Sequence, residues 1–217
     1  MSIIGNPITL GGGRQEDQSL NGILANSNIY VYGGRYAKSG GGATDVFFPK
    51  NPNSFDKLDI NWANPFEIFV TFAYLNSSTK RNTLYGCFTS NKYYYTPTCE
   101  LQSENTIWAG FSTGGSSWNN GIALTDLSFQ QGVWSYVQYV WDGSVLTLRA
   151  FDGANLVEDS SSQTTAHYHN SSHLMAFCNI AQRANSSSSQ SVAIDVAFDL
   201  NNTYIKSNGT MVWGHKE

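Results

Sequence analysis

Alternation of side chains with a period of two is the pattern that most constrains this chain. It begins near Asn61 and is clearest from residue 66 to residue 74, where every second side chain is apolar or aromatic: Phe66, Ile68, Val70, Phe72 and Tyr74. A β-strand with one buried face needs this pattern, because successive side chains point to opposite sides of a sheet. No window shows sustained helical spacing. We therefore predict β structure, with helix limited to a turn or two.

Turn-forming residues divide the rest of the chain into short strands. Asp142-Gly143 and Asn208-Gly209 predict two hairpins, since both dipeptides accept positive φ angles. The other predicted strands are Leu84 to Thr89, Tyr93 to Cys99, Thr106 to Ser112, Leu174 to Ile180 and Val192 to Leu200. Residues 155 to 163 are expected to form a polar loop. About nine or ten antiparallel strands at roughly ten-residue spacing favour a two-sheet sandwich, and the absence of a repeat argues against a propeller.

The N-terminal segment differs from the remainder. Gly11-Gly12-Gly13 and Gly40-Gly41-Gly42 interrupt residues 1–59, and the apolar residues there sustain no period. We divide the chain into an extended Gly-rich arm, 1–59, and a sandwich domain, 60–217. Three interpretations of the arm are open: it docks on another protein, it is a loose terminus, or it supplies a strand to the domain's own sheet.

Composition excludes several classes of function. Charged residues are 13% of the 217 residues and the net charge is -4, so nothing marks a nucleic-acid-binding surface. No run approaches the roughly 18 apolar residues of a membrane span, and Met1 to Gly13 lacks the features of a signal peptide. We expect synthesis in a cytoplasm. The odd set of three cysteines, Cys87, Cys99 and Cys178, is interpreted as buried and reduced, with a Cys87 to Cys99 bridge left open.

Carboxylates are not arranged for hydrolysis of sugars. Enzymes of that kind on β-sandwiches place two carboxylates close together on one sheet face. Here Glu100 and Glu104 fall in a loop-like stretch, and Asp195 and Asp199 would lie about 13 Å apart on a strand. We predict no enzyme activity. Glu67, which faces away from the apolar side of its strand, is the first acid to mutate as a test.

Metal sites have two weak candidates. The imidazoles of His167 and His169, with His173 nearby, suit a transition ion, although exposed loop histidines are the preferred reading. Calcium is an open alternative, because it prefers oxygen ligands and several loop side chains could supply them: Asp142, Asp152, Asn155 and Asp159. The spacing of these residues is not that of an EF-hand. No cofactor is assigned.

The surplus of aromatic residues points to carbohydrate. Trp108, Trp118 and Tyr93-Tyr94-Tyr95 are interleaved with Gln102, Asn119 and Asn120. Sugar sites pair such residues, because a flat apolar ring covers the sugar face while amides bond its hydroxyls. We predict Trp118, Asn119 and Tyr94 as contacts for a glycan.

Three stretches carry a resemblance to a known family. Asn64-Pro65-Phe66-Glu67-Ile68, then Gly132 to Val137 with Tyr139 to Gly143, resemble concanavalin A-like, laminin-G-like jelly-roll domains. The ending, Phe198 to Lys206 with Asn208-Gly209 and Val212-Trp213-Gly214, is similar to that of such domains in virion proteins of bacteriophages and prophages. The family includes lectins, glycanases and structural modules. Its paired-carboxylate and legume-lectin metal motifs have no match here, so no catalytic or metal residue is carried over.

The resemblance implies a non-enzymatic virion structural protein, displayed on the particle as a homo-oligomer and anchored to other virion proteins by the arm. It would face a host-cell polysaccharide or serve structure alone. Tail, baseplate and capsid locations stay open. Two alternatives remain: a free lectin-like carbohydrate-binding protein and a polysaccharide hydrolase.

Overall fold

The computed structural model describes residues 36–39, 60–74, 82–87, 96–112, 120–162, 166–167, 175–177, 196–199 and 202–214. These ranges contain thirteen strands and no α-helix. The strands are β1 (Tyr36–Ser39), β2 (Phe66–Tyr74), β3 (Asn82–Cys87), β4 (Thr98–Ser103), β5 (Thr106–Phe111), β6 (Asn120–Leu124), β7 (Ser135–Trp141), β8 (Val145–Phe151), β9 (Leu156–Ser162), β10 (Met175–Phe177), β11 (Val196–Asp199), β12 (Tyr204–Ser207) and β13 (Thr210–Gly214).

The strands form two antiparallel sheets. Sheet A has eight strands in the order β1-β11-β2-β7-β8-β9, with β12 also paired to β2 and β13 paired to β12. Sheet B has five strands in the order β10-β3-β4-β5-β6. The predicted fold, an all-β two-sheet jelly-roll sandwich, is confirmed. Below, the outer face of a sheet is the face turned away from the other sheet.

The core fills the space between the sheets, as the alternation predicts. Phe66, Ile68, Val70 and Phe72 are all buried, and the rings of Phe111 and Trp141 meet across the core with centroids 5.6 Å apart. Burying a large apolar side chain contributes about 1.5 to 3 kcal/mol each. Cys99 belongs to this core as a buried free thiol, which confirms its reading as a small apolar residue. The side chain of Cys87 and all of Cys178 lie outside the described residues.

Both predicted hairpins are present. The β12–β13 turn has Asn208 and Gly209 at positive φ, 50° and 73°. In the β7–β8 turn, the backbone N–H of Asp142 donates to Val145 O, so the two central residues are Gly143 and Ser144, one position later than predicted. The Asp142 carboxylate accepts the N–H groups of Ser144 and Val145 and thereby holds this turn.

Several strand predictions are wrong. Residues 156–162 form the edge strand β9 and not a loop. Most of its side chains are exposed, so its sequence lacks the alternation of apolar and polar residues that predicts a strand. Of the strand predicted from Tyr93 to Cys99, residues 93–95 lie outside the described residues, and β4 begins at Thr98, directly after Pro97, which has no N–H for a strand ladder. Glu100 is therefore a strand residue and not a loop residue. The strand β6 went unpredicted.

Part of the predicted arm pairs with the domain. Tyr36–Ser39 forms β1, antiparallel to β11, with Tyr36 opposite Asp199. These four residues follow the reading in which the arm supplies a strand to the domain's own sheet. The rest of residues 1–59 lies outside the described residues, and the domain boundary and the anchoring role stay predictions.

Candidate functional site

The outer face of sheet B places an indole beside a carboxylate at its centre. Cys99 and Leu101 point into the core, so Glu100 between them points outward. On the next strand, Trp108 points outward in the same way, and it lies directly opposite Glu100 in the β4–β5 register. Cross-strand neighbours of this kind have β-carbons about 5 Å apart.

The Trp108 indole extends from β5 over β6. A β-carbon at Gly121 would lie only 2.6, 2.7 and 2.8 Å from Cζ2, Nε1 and Cε2 of the ring. Trp108 pairs with Ala123, so Gly121 is its diagonal neighbour across the strands. The ring therefore leans along the sheet, and it can do so because position 121 has no side chain. We call Trp108, Gly121 and Ala123 the indole platform.

Burial changes sharply across this face. Glu100 is 1% exposed, and Thr96, Thr98 and Ser112 are as deeply buried. Gly121 and Ala123 are exposed, and Trp108 is half-buried between the two regions. The outer face of sheet B is thus polar and sheltered along β4 and apolar and open along the edge strand β6, which is the mixture that small-ligand sites use for orientation and contact area.

The predicted glycan contacts Tyr94, Trp118 and Asn119 all lie outside the described residues. Their neighbours in sequence are informative. Thr98, the first residue of β4, pairs with Gly110, and Asn120, the first residue of β6, pairs with Phe111. The chain therefore enters β4 and β6 at the same end of sheet B.

Glu67 lies on the outer face of sheet A, as predicted, within a hydrogen-bond network. It accepts bonds from Gln138 Nε2 at 2.7 Å, Lys206 Nζ at 2.9 Å and the hydroxyl of Tyr204. Burial raises its pKa, but these three donors outweigh burial and the pKa is lowered from 4.5. Glu67 is therefore an ionised acceptor at neutral pH and not a proton donor.

A catalytic carboxylate pair is missing from the described part of that face. Glu158 is three strands from Glu67, across β7 and β8 to β9, or about 14 Å by strand spacing. Glycoside hydrolysis uses separations of about 5 to 9.5 Å. The arrangement around Glu67 can hold charge and order side chains, but it does not position a second carboxyl group.

The described members of the two metal candidates serve the fold. His167 is 2% exposed and packs against the ring of Phe111 at 5.1 Å, so its reading as an exposed loop histidine is wrong. His169 and His173 lie outside the described residues. Asp152 accepts the N–H groups of Ser128, Ala154 and Asn155 in its turn. In the described ranges, no three His, Cys, Asp or Glu side chains gather as metal ligands would.

Within those ranges there is also no helix with the length and hydropathy of a membrane span.

Comparison with known proteins finds likeness of structure only. No family model matches the chain, and no curated protein matches its sequence. The binding domain of botulinum neurotoxin DC, solved in complex with rat synaptotagmin II, matches with a TM-score of 0.52 and 11% identity over 83% of this chain and 40% of that one. This likeness is one of fold, and the chain spans well under half of that protein.

Two further solved structures have weaker likeness. A galectin of Caenorhabditis elegans, LEC-6, matches with a TM-score of 0.37 and 16% identity over 70% of this chain and 94% of the galectin. An alginate lyase from Klebsiella pneumoniae matches with a TM-score of 0.45 and 8% identity over 66% of this chain and 60% of the lyase.

Proposed function

We propose that this chain is a non-enzymatic glycan-binding jelly roll, and that the glycan binds on the outer face of sheet B. The proposal rests on one observation: the Trp108 indole lies over Gly121 on the exposed edge strand β6 of that sheet. An indole held along a sheet presents a rigid apolar surface, and it costs little conformational entropy to use.

The indole platform and the predicted contacts complement each other. Trp108 supplies the apolar surface for a sugar ring, and we propose that Trp118, Asn119 and Tyr94 add further contacts, because the chain enters β6 and β4 shortly after them. Glu100 lies beside the indole but is buried, so the direct contact is assigned to Trp108. Neutral amides and aromatics bind hydroxyl-rich ligands without needing a charged one. The ligand class is therefore a polysaccharide or oligosaccharide.

We further propose that the protein is displayed on a phage particle. This rests on the resemblance of its sequence to jelly-roll domains of phage virion proteins. A single stacking residue gives weak affinity, and many copies on one particle raise it by avidity. A virion surface protein that contacts host-cell polysaccharide is a role in which weak individual sites suffice. The N-terminal arm would anchor it to other virion proteins. A free lectin-like protein is the alternative, and co-purification of the chain with intact particles separates the two.

Hydrolysis is the less favoured alternative because of the geometry around Glu67. Its lowered pKa suits a stable anion, and the described part of its face holds no second carboxylate within catalytic distance. A glycosidase acid needs the opposite, a raised pKa.

The test is titration of the full chain with host-wall glycans, using Trp108→Ala and a matched control. Trp134→Ala is the control, since Trp134 is also half-buried but precedes β7 of the other sheet. Trp108→Ala should weaken binding by about tenfold or more, because truncating a central aromatic contact costs roughly 1 to 3 kcal/mol. Trp134→Ala should bind as the wild type does. Equal affinities in all three proteins would remove the indole platform as the site.

A further inference from the structure

The outer face of sheet A carries two parallel stripes of side chains that cross the same five strands, β12, β2, β7, β8 and β9. In that strand order, the apolar stripe consists of Tyr204, Phe69, Tyr136, Phe151 and Leu156. The polar stripe consists of Lys206, Glu67, Gln138, Arg149 and Glu158. Both stripes shift by one pleat between β2 and β7, so they remain parallel.

The rings of the apolar stripe stack on one another. Ring centroids are 5.2 Å apart between Tyr204 and Phe69, 5.1 Å between Phe69 and Tyr136, and 5.3 Å between Tyr136 and Phe151, with near-parallel planes. The rings therefore cover each other's faces and turn their edges outward, which leaves a sugar no open face. At the β9 end, Leu156 is 58% exposed. Such a surface suits apolar protein side chains better than a glycan.

The polar stripe is a continuous chain of contacts with alternating charge. Lys206 bonds Glu67, Gln138 bonds both Glu67 and Arg149, and Arg149 pairs with Glu158. Read from β12 to β9, the charges are positive, negative, neutral, positive and negative. If a second copy of the stripe is laid against the first in reverse order, with Gln138 opposite Gln138, every charged residue faces a residue of opposite charge.

We infer that this face binds a second copy of the same chain face to face. The two-fold axis passes over Gln138, lies in the plane of the interface and is perpendicular to the stripes. Lys206 then faces the partner's Glu158, and Glu67 faces the partner's Arg149. The apolar stripe meets itself in reverse, with Leu156 against the partner's Tyr204. An isologous interface needs this self-complementarity, and both stripes have it about the same axis. The indole platforms of the two copies then lie on the far sides of the dimer.

The interface is small. Five strands span about 19 Å, and a patch of this width across two stripes buries less than the roughly 800 Å² per partner of a standard interface, so we expect a weak dimer with a dissociation constant of roughly micromolar order. Sedimentation velocity on the full chain from about 1 to 300 µM should show a monomer–dimer equilibrium.

The double variant Arg149→Glu with Glu158→Arg exchanges the two charges of one ion pair; we call it the charge swap. It leaves composition, net charge and the ion pair within one copy unchanged, and both side chains are nearly half exposed. The stripe then reads positive, negative, neutral, negative, positive, which sets like charges opposite each other in the dimer. Dimerisation should weaken about tenfold or more while the circular-dichroism spectrum stays that of the wild type.

A second measurement uses the wild-type chain. Carbodiimide coupling joins an amine to a carboxylate in direct contact, and Lys206 and Glu158 are about 19 Å apart within one copy. A peptide that joins Lys206 to Glu158 can therefore come only from two copies and should appear in the dimer band alone.

Three results overturn the inference. The first is a monomer at every concentration. The second is a dimer that survives the charge swap and yields no Lys206–Glu158 peptide, because another face then forms the contact. The third is a monomeric wild type whose glycan affinity falls on the charge swap, because the stripes then bind glycan. Loss of glycan binding in Trp108→Ala with dimerisation intact leaves the inference supported, since the two sites lie on different sheets.

Discussion

The Trp108 indole covers Gly121 so closely that position 121 has no room for a side chain: a β-carbon there would lie 2.6 Å from Cζ2 of the ring. The φ angle of Gly121 is not among the positive ones. The glycine is therefore required by the indole above it and not by the backbone conformation.

Gly121→Ala should displace the indole and weaken glycan binding without removing an aromatic residue. The clash involves several ring atoms at once, so we expect a loss of about 1 to 3 kcal/mol in the free energy of unfolding. The measurements are urea unfolding and glycan titration. In the background of Trp108→Ala, the change at position 121 should cost almost nothing, because the atoms it meets are gone. Equal costs in both backgrounds would contradict the close approach.

Glu67 gives the stability of the domain a pH dependence. Its pKa is lowered from 4.5 in the folded chain, mainly because its hydrogen bonds outweigh the effect of burial. The folded state therefore binds the proton less readily than the unfolded state does. This contribution is fully present above about pH 4.5 and is lost as the pH falls through the folded pKa.

Glu67→Gln should consequently lower stability at neutral pH by about 1 to 2 kcal/mol, and the difference from the wild type should shrink below pH 4.5. Urea unfolding of both proteins between about pH 3 and pH 7 measures this. Lys206→Met, which removes one of the three donors, should show an intermediate dependence. A difference that stays constant across this range would mean that Glu67 is not held as an anion.

Cys99 should resist alkylation in the folded protein. The thiol is buried, and burial together with the neighbouring charge of Glu100 raises its pKa well above the usual range. Very little reactive thiolate is then present near neutral pH. Peptide mapping after iodoacetamide treatment should find Cys99 unlabelled in buffer and labelled in urea. Rapid labelling in buffer would show that β4 opens easily.

The local sequence pattern was enough to predict those strands that bury one face and expose the other. The alternation at Phe66 to Phe72 placed those side chains in the core, and Asn208-Gly209 placed a hairpin. The edge strand β9 was missed because most of its residues are exposed, so they carry no alternation. A strand without a buried face has no signal with a period of two.

The candidate site could be predicted only in part. Trp108 stood out as an aromatic residue among amides, but its position opposite Glu100 depends on the β4–β5 register, which contains an irregularity between Leu101 and Ser103. The stripes on sheet A depend even more on long-range order, since Glu67 and Lys206 are 139 residues apart in the chain. Strand order joins them, and short-range patterns do not encode strand order.

We expect the full chain to leave host-wall polysaccharides uncut, because Glu67 is an anion with no described carboxylate partner at catalytic distance on its face. The measurement is chromatography of the glycan after long incubation with the wild type and with Glu67→Gln. Both samples should match a protein-free control, while the glycan affinity of Glu67→Gln should equal that of the wild type, since Glu67 and Trp108 lie on different sheets. Shortened chains that appear with the wild type and vanish with Glu67→Gln would establish a hydrolase and reverse the assignment.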